Sequence, residues 1–247
     1  MILIADCKGG LSIYLTTKTS CYTEISMRIR KKRWAQPELD VCPFYSKNPE
    51  ENRGRWREKF KNQAPLHLEL GCGKGSFAAK CALDNPNINL LAIDIKSDML
   101  GVGRRTIVKT FEQAGKEVDN IILAAYNVEQ IDKIIAPEDK IERIYINFCN
   151  PWPRPKHKKR RLTYPIKLEM YKQFMVDGSE IRFKTDDREL FEESLEYFEQ
   201  SGFERIFTSW DLHNEINLPK GFKNYETEHE RMFTEMGKPT YCCYVKK

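Results

Sequence analysis

The sequence predicts an α/β fold built on a doubly wound, mostly parallel sheet, and three observations carry that expectation. Strand-like and helix-like stretches alternate from residue 66 onward, the order that lays helices on the faces of a parallel sheet. A glycine-rich turn, Gly71-Cys72-Gly73-Lys74-Gly75, follows the first strand-like stretch and leads into a helical one, which is where such a sheet opens its ligand crevice. The acid Asp94 closes the second strand-like stretch, 23 residues after Gly71.

The elements follow in order. Residues 66–70 are the expected first strand, 76–84 a helix, 90–94 a second strand and 97–114 a helix, each a short apolar run or a helical period bounded by turn residues. Strands are expected at 121–125 and 143–148, a helix at 166–175 and a fifth strand at 181–185. In the helix expected over 188–201, Leu190, Phe191, Leu195 and Phe198 share one side at helical spacing. Two late strands, 205–209 and 241–245, are separated by about thirty mostly polar residues, long for a plain connection and so expected to be functional or partly helical. The chain therefore divides into an extension over 1–26 without assigned function, a basic N-terminal arm over 27–60 and one large domain over 61–247.

Composition narrows the classes. Of 247 residues, 40% are hydrophobic, enough for a core and too many for a disordered tail or a collagen-like chain. No apolar stretch approaches the roughly 20 residues that cross a bilayer. The opening MILIADCKGG breaks its apolar run at Asp6 and Lys8 and has no small-residue cleavage site, so a secretory signal is rejected and a soluble, cytoplasmic protein without a membrane partner is expected. The eight cysteines are scattered, with no CxxC pair and no His/Cys cluster. Adjacent Cys242 and Cys243 would point to opposite faces of a strand, so core thiols are expected and no metal site.

The turn's details select a cofactor. A dinucleotide fold uses G-x-G-x-x-G, whereas here the glycines run GxGxG and position 76 is Ser. Glu69, two residues before Gly71, would repel a pyrophosphate and attract an ammonium or sulfonium. Asp94 is placed to accept hydrogen bonds from both hydroxyls of a ribose. Gly71, Gly73, Glu69 and Asp94 together indicate S-adenosylmethionine. Lys74 lacks the spacing of a P-loop. Asn127, after the third strand, either reaches an adenine edge or caps the next turn.

After the fourth strand comes Asn150-Pro151-Trp152-Pro153-Arg154-Pro155. Three prolines in five positions forbid a helix and stiffen a loop at the carboxyl end of a central strand. Trp152 offers a stacking face or packs under the turn. The following run, Arg154, Lys156, His157, Lys158, Lys159, Arg160 and Arg161, contains no acid and reads as a phosphate-binding strip beside the crevice, the footprint of a nucleic-acid protein. The acids Asp186, Asp187, Glu189, Glu192, Glu193, Glu196 and Glu199 are expected to collect elsewhere. A second basic cluster, Arg28 to Arg33 before Trp34, is either a polyanion contact or a solvated tail.

From Met27 to the C-terminus these residues resemble the bacterial tRNA (guanine-N7)-methyltransferases. The resemblance is carried by Met27-Arg28-Ile29-Arg30, by residues 150–162, by Phe183-Lys184-Thr185-Asp186, by Asp211-Leu212-His213 and by Thr227-Glu228-His229-Glu230. It implies the class I methyltransferase sheet, Rossmann-like, with an antiparallel last strand. It also implies methyl transfer from S-adenosylmethionine to N7 of a guanosine in the tRNA variable loop; whether a monomer or a homodimer does so is left open by the sequence. Carried over by position, Glu69, Asp94, Asn127 and Asn150 line the cofactor site, with Asn150 also at the catalytic position. Arg154, Asp186 and Thr227, Glu228, His229 and Glu230 hold the guanosine, and residues 156–161 contact the tRNA backbone.

Two departures stand out. Asn150 occupies a position where the family typically has Asp, and Arg154 one where Lys is usual. Guanine N7 carries no proton, so the attack needs alignment rather than a general base, and an amide can align. Two other readings remain at this level: an amino-group methyltransferase acting on adenine or cytosine, suggested by Asn150-Pro151-Trp152, and a non-catalytic RNA-binding protein.

Overall fold

The computed structural model describes residues 31–247. The 1–26 extension, Met27 to Arg30, Cys7 and Cys21 lie outside the described residues. The chain from Lys32 to Lys247 is one compact unit.

Its centre is an eight-stranded sheet in the order β1-β4-β3-β2-β5-β6-β8-β7. The strands are β1 (Tyr45–Ser46), β2 (Leu66–Leu70), β3 (Asn89–Asp94), β4 (Ile121–Ala125), β5 (Ile141–Asn147), β6 (Met175–Thr185), β7 (Glu204–Ser209) and β8 (Tyr241–Lys246). All neighbours pair parallel except β8, which inserts antiparallel between β6 and β7. The chain runs outward from β2 through β3 to β4, then returns to the other side of β2 as β5. The junction of β2 and β5 is therefore the switch point, where the connections leave in opposite directions and a crevice opens.

Alternation along the strands sorts two cores. Leu66, Leu68, Leu70, Ile144, Ile146, Ile181 and Phe183 face one layer with α4 (Pro165–Lys172) and α5 (Arg188–Gln200). Leu90, Ala92, Leu123 and Tyr145 face the other, with α1 (Ala35–Asp40), α2 (Ser76–Asp84) and α3 (Ser97–Gln113). Helix α5 is capped by Asp187, whose carboxylate accepts the Leu190 N–H at 2.7 Å. Its Leu190, Phe191 and Phe198 are buried, as their spacing predicts.

The expected 166–175 helix ends at Lys172, and β6 starts six residues before the expected 181, because Phe174 and Met175 are buried against the start of β5. The connection after β7 contains α6 (Glu228–Glu235), in line with a partly helical segment. Cys243 packs in the first layer and Cys242 on the opposite face, and all six described cysteines are free. Among the described residues no helix is long and apolar enough to cross a membrane and no metal-ligating cluster occurs.

One expectation is corrected. Residues 32–60 are not an arm: α1 packs on α3, β1 extends the sheet edge, and Trp56 is fully buried with its indole N–H on the Ile134 carbonyl at 2.6 Å. Their apolar anchors, Ala35, Leu39, Phe44, Trp56 and Phe60, are too irregularly spaced to show a period. Asp139 fastens this segment by accepting backbone N–H groups of Gly54, Trp56 and Ala136 at 2.8 to 2.9 Å. Asp139→Ala strands those three donors and is expected to cost at least about 3 kcal/mol in urea unfolding, whereas a loss under about 1 kcal/mol would mean that the carboxylate is not the fastener.

Candidate active site

Every expected site segment is drawn to the carboxyl ends of the parallel strands. The glycine turn leaves β2 and Asp94 ends β3. Asn127 follows β4, the proline loop follows β5 and Asp186 follows β6.

Gly71 and Gly73 adopt left-handed backbone (φ 81° and 53°), and the space above each is open. A side chain at either would meet strain and would fill the approach to the turn. The turn is fixed from beneath. Gly71 and Cys72 donate to the Ile93 carbonyl at 2.8 and 2.9 Å, and Gly73 N–H donates to Asp94 Oδ2 at 2.9 Å. Asp94 Oδ1 accepts the Lys96 N–H at 2.9 Å, while burial raises the carboxyl's pKa.

Glu69 lies in β2 with 2% of its surface exposed. Its Oε1 accepts from the Asn147 amide at 3.2 Å, and its Oε2 has no hydrogen-bond partner among the described residues. A buried carboxylate left half-satisfied favours its protonated form, and burial pushes Glu69 up to about 8 against the pull of Asn147 and Lys184. An orphaned acidic oxygen beside an open glycine turn fits a cationic ligand. It fits the ammonium and sulfonium of S-adenosylmethionine and disfavours a pyrophosphate.

Asn127 caps the turn after β4, its Oδ1 accepting the Glu129 N–H at 3.0 Å. Its side chain is half-buried and its Nδ2 is not used in that bond. Asn150 is exposed, with Oδ1 accepting the Trp152 N–H at 3.0 Å in a turn that its own side chain closes.

The proline loop holds two non-glycine residues in the left-handed region, Phe148 (φ 50°) and Trp152 (φ 44°). Each costs about 1 to 3 kcal/mol unless its surroundings enforce it. Phe148 is held by its N–H on the Lys184 carbonyl at 2.8 Å and Trp152 by its N–H on Asn150, and Arg161 adds a hold on the residue between them, Pro151. That arginine is 1% exposed, donates from Nε to the Pro151 carbonyl at 2.7 Å, and pairs with Glu193 at 2.6 Å and Glu189 at 3.5 Å. Arg161 is thus set apart from the strip in which the sequence placed it: its guanidinium is spent inside the protein, against Pro151 and two acids, and is not offered to solvent.

The rest of the strip divides. Lys158 pairs with Glu193 and Glu189, and Arg160 pairs with Glu129 at 2.8 Å while its guanidinium lies 4.0 Å above the Trp152 ring. His157 meets the edge of the same ring at 5.8 Å. Arg154, Lys156 and Lys159 are exposed and take no ion pair among the described residues. The acids of α5 do not all collect elsewhere. Glu189 and Glu193 stand against the strip and neutralise two of its cations.

Asp186 is half-buried at the end of β6, and burial raises its pKa while Lys238 and His229 oppose the rise. The segment from Thr227 to Glu230 is brought to the glycine turn by an ion pair between Lys74 and Glu228 at 2.6 Å. Thr227 and Glu230 form a capping box, with the Glu230 N–H donating to Thr227 Oγ1 at 3.0 Å. Thr227 is half-buried, and Glu228 and His229 are exposed. Glu230 is fully buried.

Three polar residues gain parts that the sequence did not assign them: Asn147, Lys184 and His213. Asn147 was legible in principle, because alternation in β5 puts it on the face of Tyr145, the register partner of Glu69.

A family model described as "Putative methyltransferase" matches residues 63–243. The tRNA (guanine-N(7)-)-methyltransferase of Clostridium perfringens (strain SM101 / Type A) is 54% identical over 213 residues, 85% of this chain and 95% of that protein. The protein of the same name from Clostridium botulinum (strain Eklund 17B / Type B) is 54% identical over 212 residues, 85% of this chain and 94% of its own. Among solved structures, the 16S rRNA methyltransferase KamB superposes with a TM-score of 0.54 at 12% identity, over 77% of this chain and 89% of its own, a likeness of fold alone.

Glu69 gives a pH prediction. Its folded pKa of about 8 lies above the unfolded carboxyl value near 4.3. The ligand-free protein therefore holds a proton that the unfolded chain releases between those values, and stability falls as pH rises through that window. Binding a cation at Glu69 ionises it. Calorimetry with S-adenosylmethionine at pH 7, in buffers of different ionisation enthalpy, is expected to show most of one proton released per cofactor. The release is expected to vanish in Glu69→Gln; unchanged release in that variant would assign the proton to another group.

Proposed function

The chain belongs to the tRNA (guanine-N7)-methyltransferase family, and from that premise we propose that it transfers a methyl group from S-adenosylmethionine to N7 of a variable-loop guanosine of tRNA in the cytoplasm. The observation that carries this reading is the buried, half-satisfied carboxylate of Glu69 at the switch point, with exposed cations on the loop beside it.

When bound, S-adenosylmethionine supplies an electrophilic methyl group on a sulfonium. The chain's residues hold and orient. Glu69 takes the cofactor's cationic end and Asp94 its ribose hydroxyls, while Gly71 and Gly73 let the backbone approach and Asn127 offers its Nδ2 to the adenine edge. Guanine N7 already carries a lone pair, so no side chain has to remove a proton from it, and positioning accounts for the rate. Asn150 aligns the reacting groups from the rigid loop without adding charge. Arg154 and Asp186 face the guanosine together with the first turn of α6, which opens at Thr227. Lys156 and Lys159 neutralise tRNA phosphates, supported at the edge of the strip by His157, Lys158 and Arg160.

Incubation with unmodified tRNA and methyl-labelled S-adenosylmethionine, followed by nucleoside analysis, is expected to yield N7-methylguanosine. Label on an exocyclic amine, or none at all, would overturn the proposal. Asn150→Asp is expected to retain activity, because alignment is preserved and the added charge faces a cationic product; a folded but inactive variant would contradict that role.

The division of the basic strip gives a further test. Removing Lys156 and Lys159 together is expected to lower the slope of log affinity for tRNA against log salt by about one per lysine. Arg161→Met is expected to leave that slope unchanged and to lower the melting temperature instead. A slope that falls with Arg161 and not with the two lysines would reverse the assignment.

A further inference from the structure

Three separated sequence signatures converge on one buried carboxylate. Glu230, at the start of α6, is fully buried and takes three donors, with a fourth nitrogen close by. Lys184 Nζ lies at 2.6 Å, Asn224 Nδ2 at 2.5 Å and the Thr227 N–H at 3.4 Å, and His213 Nε2 stands 3.2 Å from the carboxylate. Lys184 comes from β6, His213 from the 3₁₀ turn Leu212–Asn214 and Glu230 from the capping box. A carboxylate so saturated has no oxygen to spare for a substrate, and freeing one would leave the Lys184 ammonium buried and unpaired.

Lys184 does a second thing. Its backbone carbonyl accepts the Phe148 N–H at 2.8 Å, at the head of the proline loop. One residue therefore holds the proline loop by its backbone and α6 by its side chain. The two elements also meet through Phe233, whose ring centre lies 6.2 Å from that of Phe148 and 6.2 Å from that of His229. Between Asn147, which holds Glu69, and Lys184 lies a cavity of about 20 Å³ bordered by Asn224 and Tyr225, room for one water.

We infer that Lys184 and His213 are positioning residues that pin the first turn of α6 across from the proline loop, and that Glu230 is the pin rather than a guanosine ligand, leaving Thr227, Glu228 and His229 to face the substrate. The inference rests on the reading that this segment meets the guanosine.

His213 is the gentler point of attack, being partly exposed. In the full-length protein, His213→Ala is expected to keep its fold and to bind S-adenosylmethionine within about two-fold of the unaltered protein, while KM for unmodified tRNA rises about 10-fold and kcat changes less, the effect of losing one close polar contact to the buried carboxylate. Amide exchange over residues 227–236 is expected to accelerate. His213→Gln, which keeps an N–H donor, is expected to restore both. Unchanged exchange and unchanged tRNA KM in folded His213→Ala would overturn the inference, as would cofactor affinity falling in step with tRNA KM. Should His213→Ala melt below the assay temperature, Asn224→Ser applies the same readouts to another donor. If the unaltered protein forms no N7-methylguanosine, the functional reading fails, and the exchange data still decide whether His213 pins α6.

Discussion

The arrangement depends on a carboxylate that the fold buries and does not satisfy. Glu69 sits in the strand from which the chain winds in both directions, with one oxygen on Asn147 and the other without a hydrogen-bond partner among the described residues. Leaving a buried polar atom unpaired costs on the order of 1 to 3 kcal/mol. Protonation lowers that cost in the ligand-free protein, and under the proposed function the cationic end of the cofactor replaces the proton. The open space above Gly71 and Gly73 lies beside this acid because both belong to one strand and the turn that ends it.

Rigidity on the substrate side has a different source. The proline loop is strained at Phe148 and Trp152, and it is held by the Lys184 carbonyl on the Phe148 N–H and by Asn150 on the Trp152 N–H. Buried Arg161 adds a hold on Pro151 from ten residues further along, braced in turn by Glu193 and Glu189 of α5. Charge in this region thus has two uses that look alike in sequence. Arg161 and Lys158 are paired with acids of α5, whereas Arg154, Lys156 and Lys159 stay exposed and take no ion pair among the described residues.

Much of this was legible in the sequence where a residue's role follows from its neighbours along the chain. The strand–turn–helix around Gly71, the acid at Asp94 and the loop stiffened by Pro151, Pro153 and Pro155 each announce themselves within a few positions, and the structure puts them where expected. Roles set by distant partners did not show. The acids of α5 gave no sign that they face Lys158 and Arg161, and Arg161 read as one more surface cation. Residues 32–60 looked like an arm because their buried anchors follow no period. His213 and Lys184 lie in two segments whose sequence shows no role for them, since their common partner Glu230 is contributed by a third segment.

The most direct test of the account is the ionisation state of Glu69 itself, read from its side-chain carbon by NMR across a pH titration of the free and cofactor-loaded protein. The account predicts a resonance that titrates near pH 8 in the free protein and stays ionised throughout the neutral range once S-adenosylmethionine is bound. A titration near the ordinary carboxyl value of about 4.3 in both states would contradict it, and would show that the acid is satisfied before any ligand arrives.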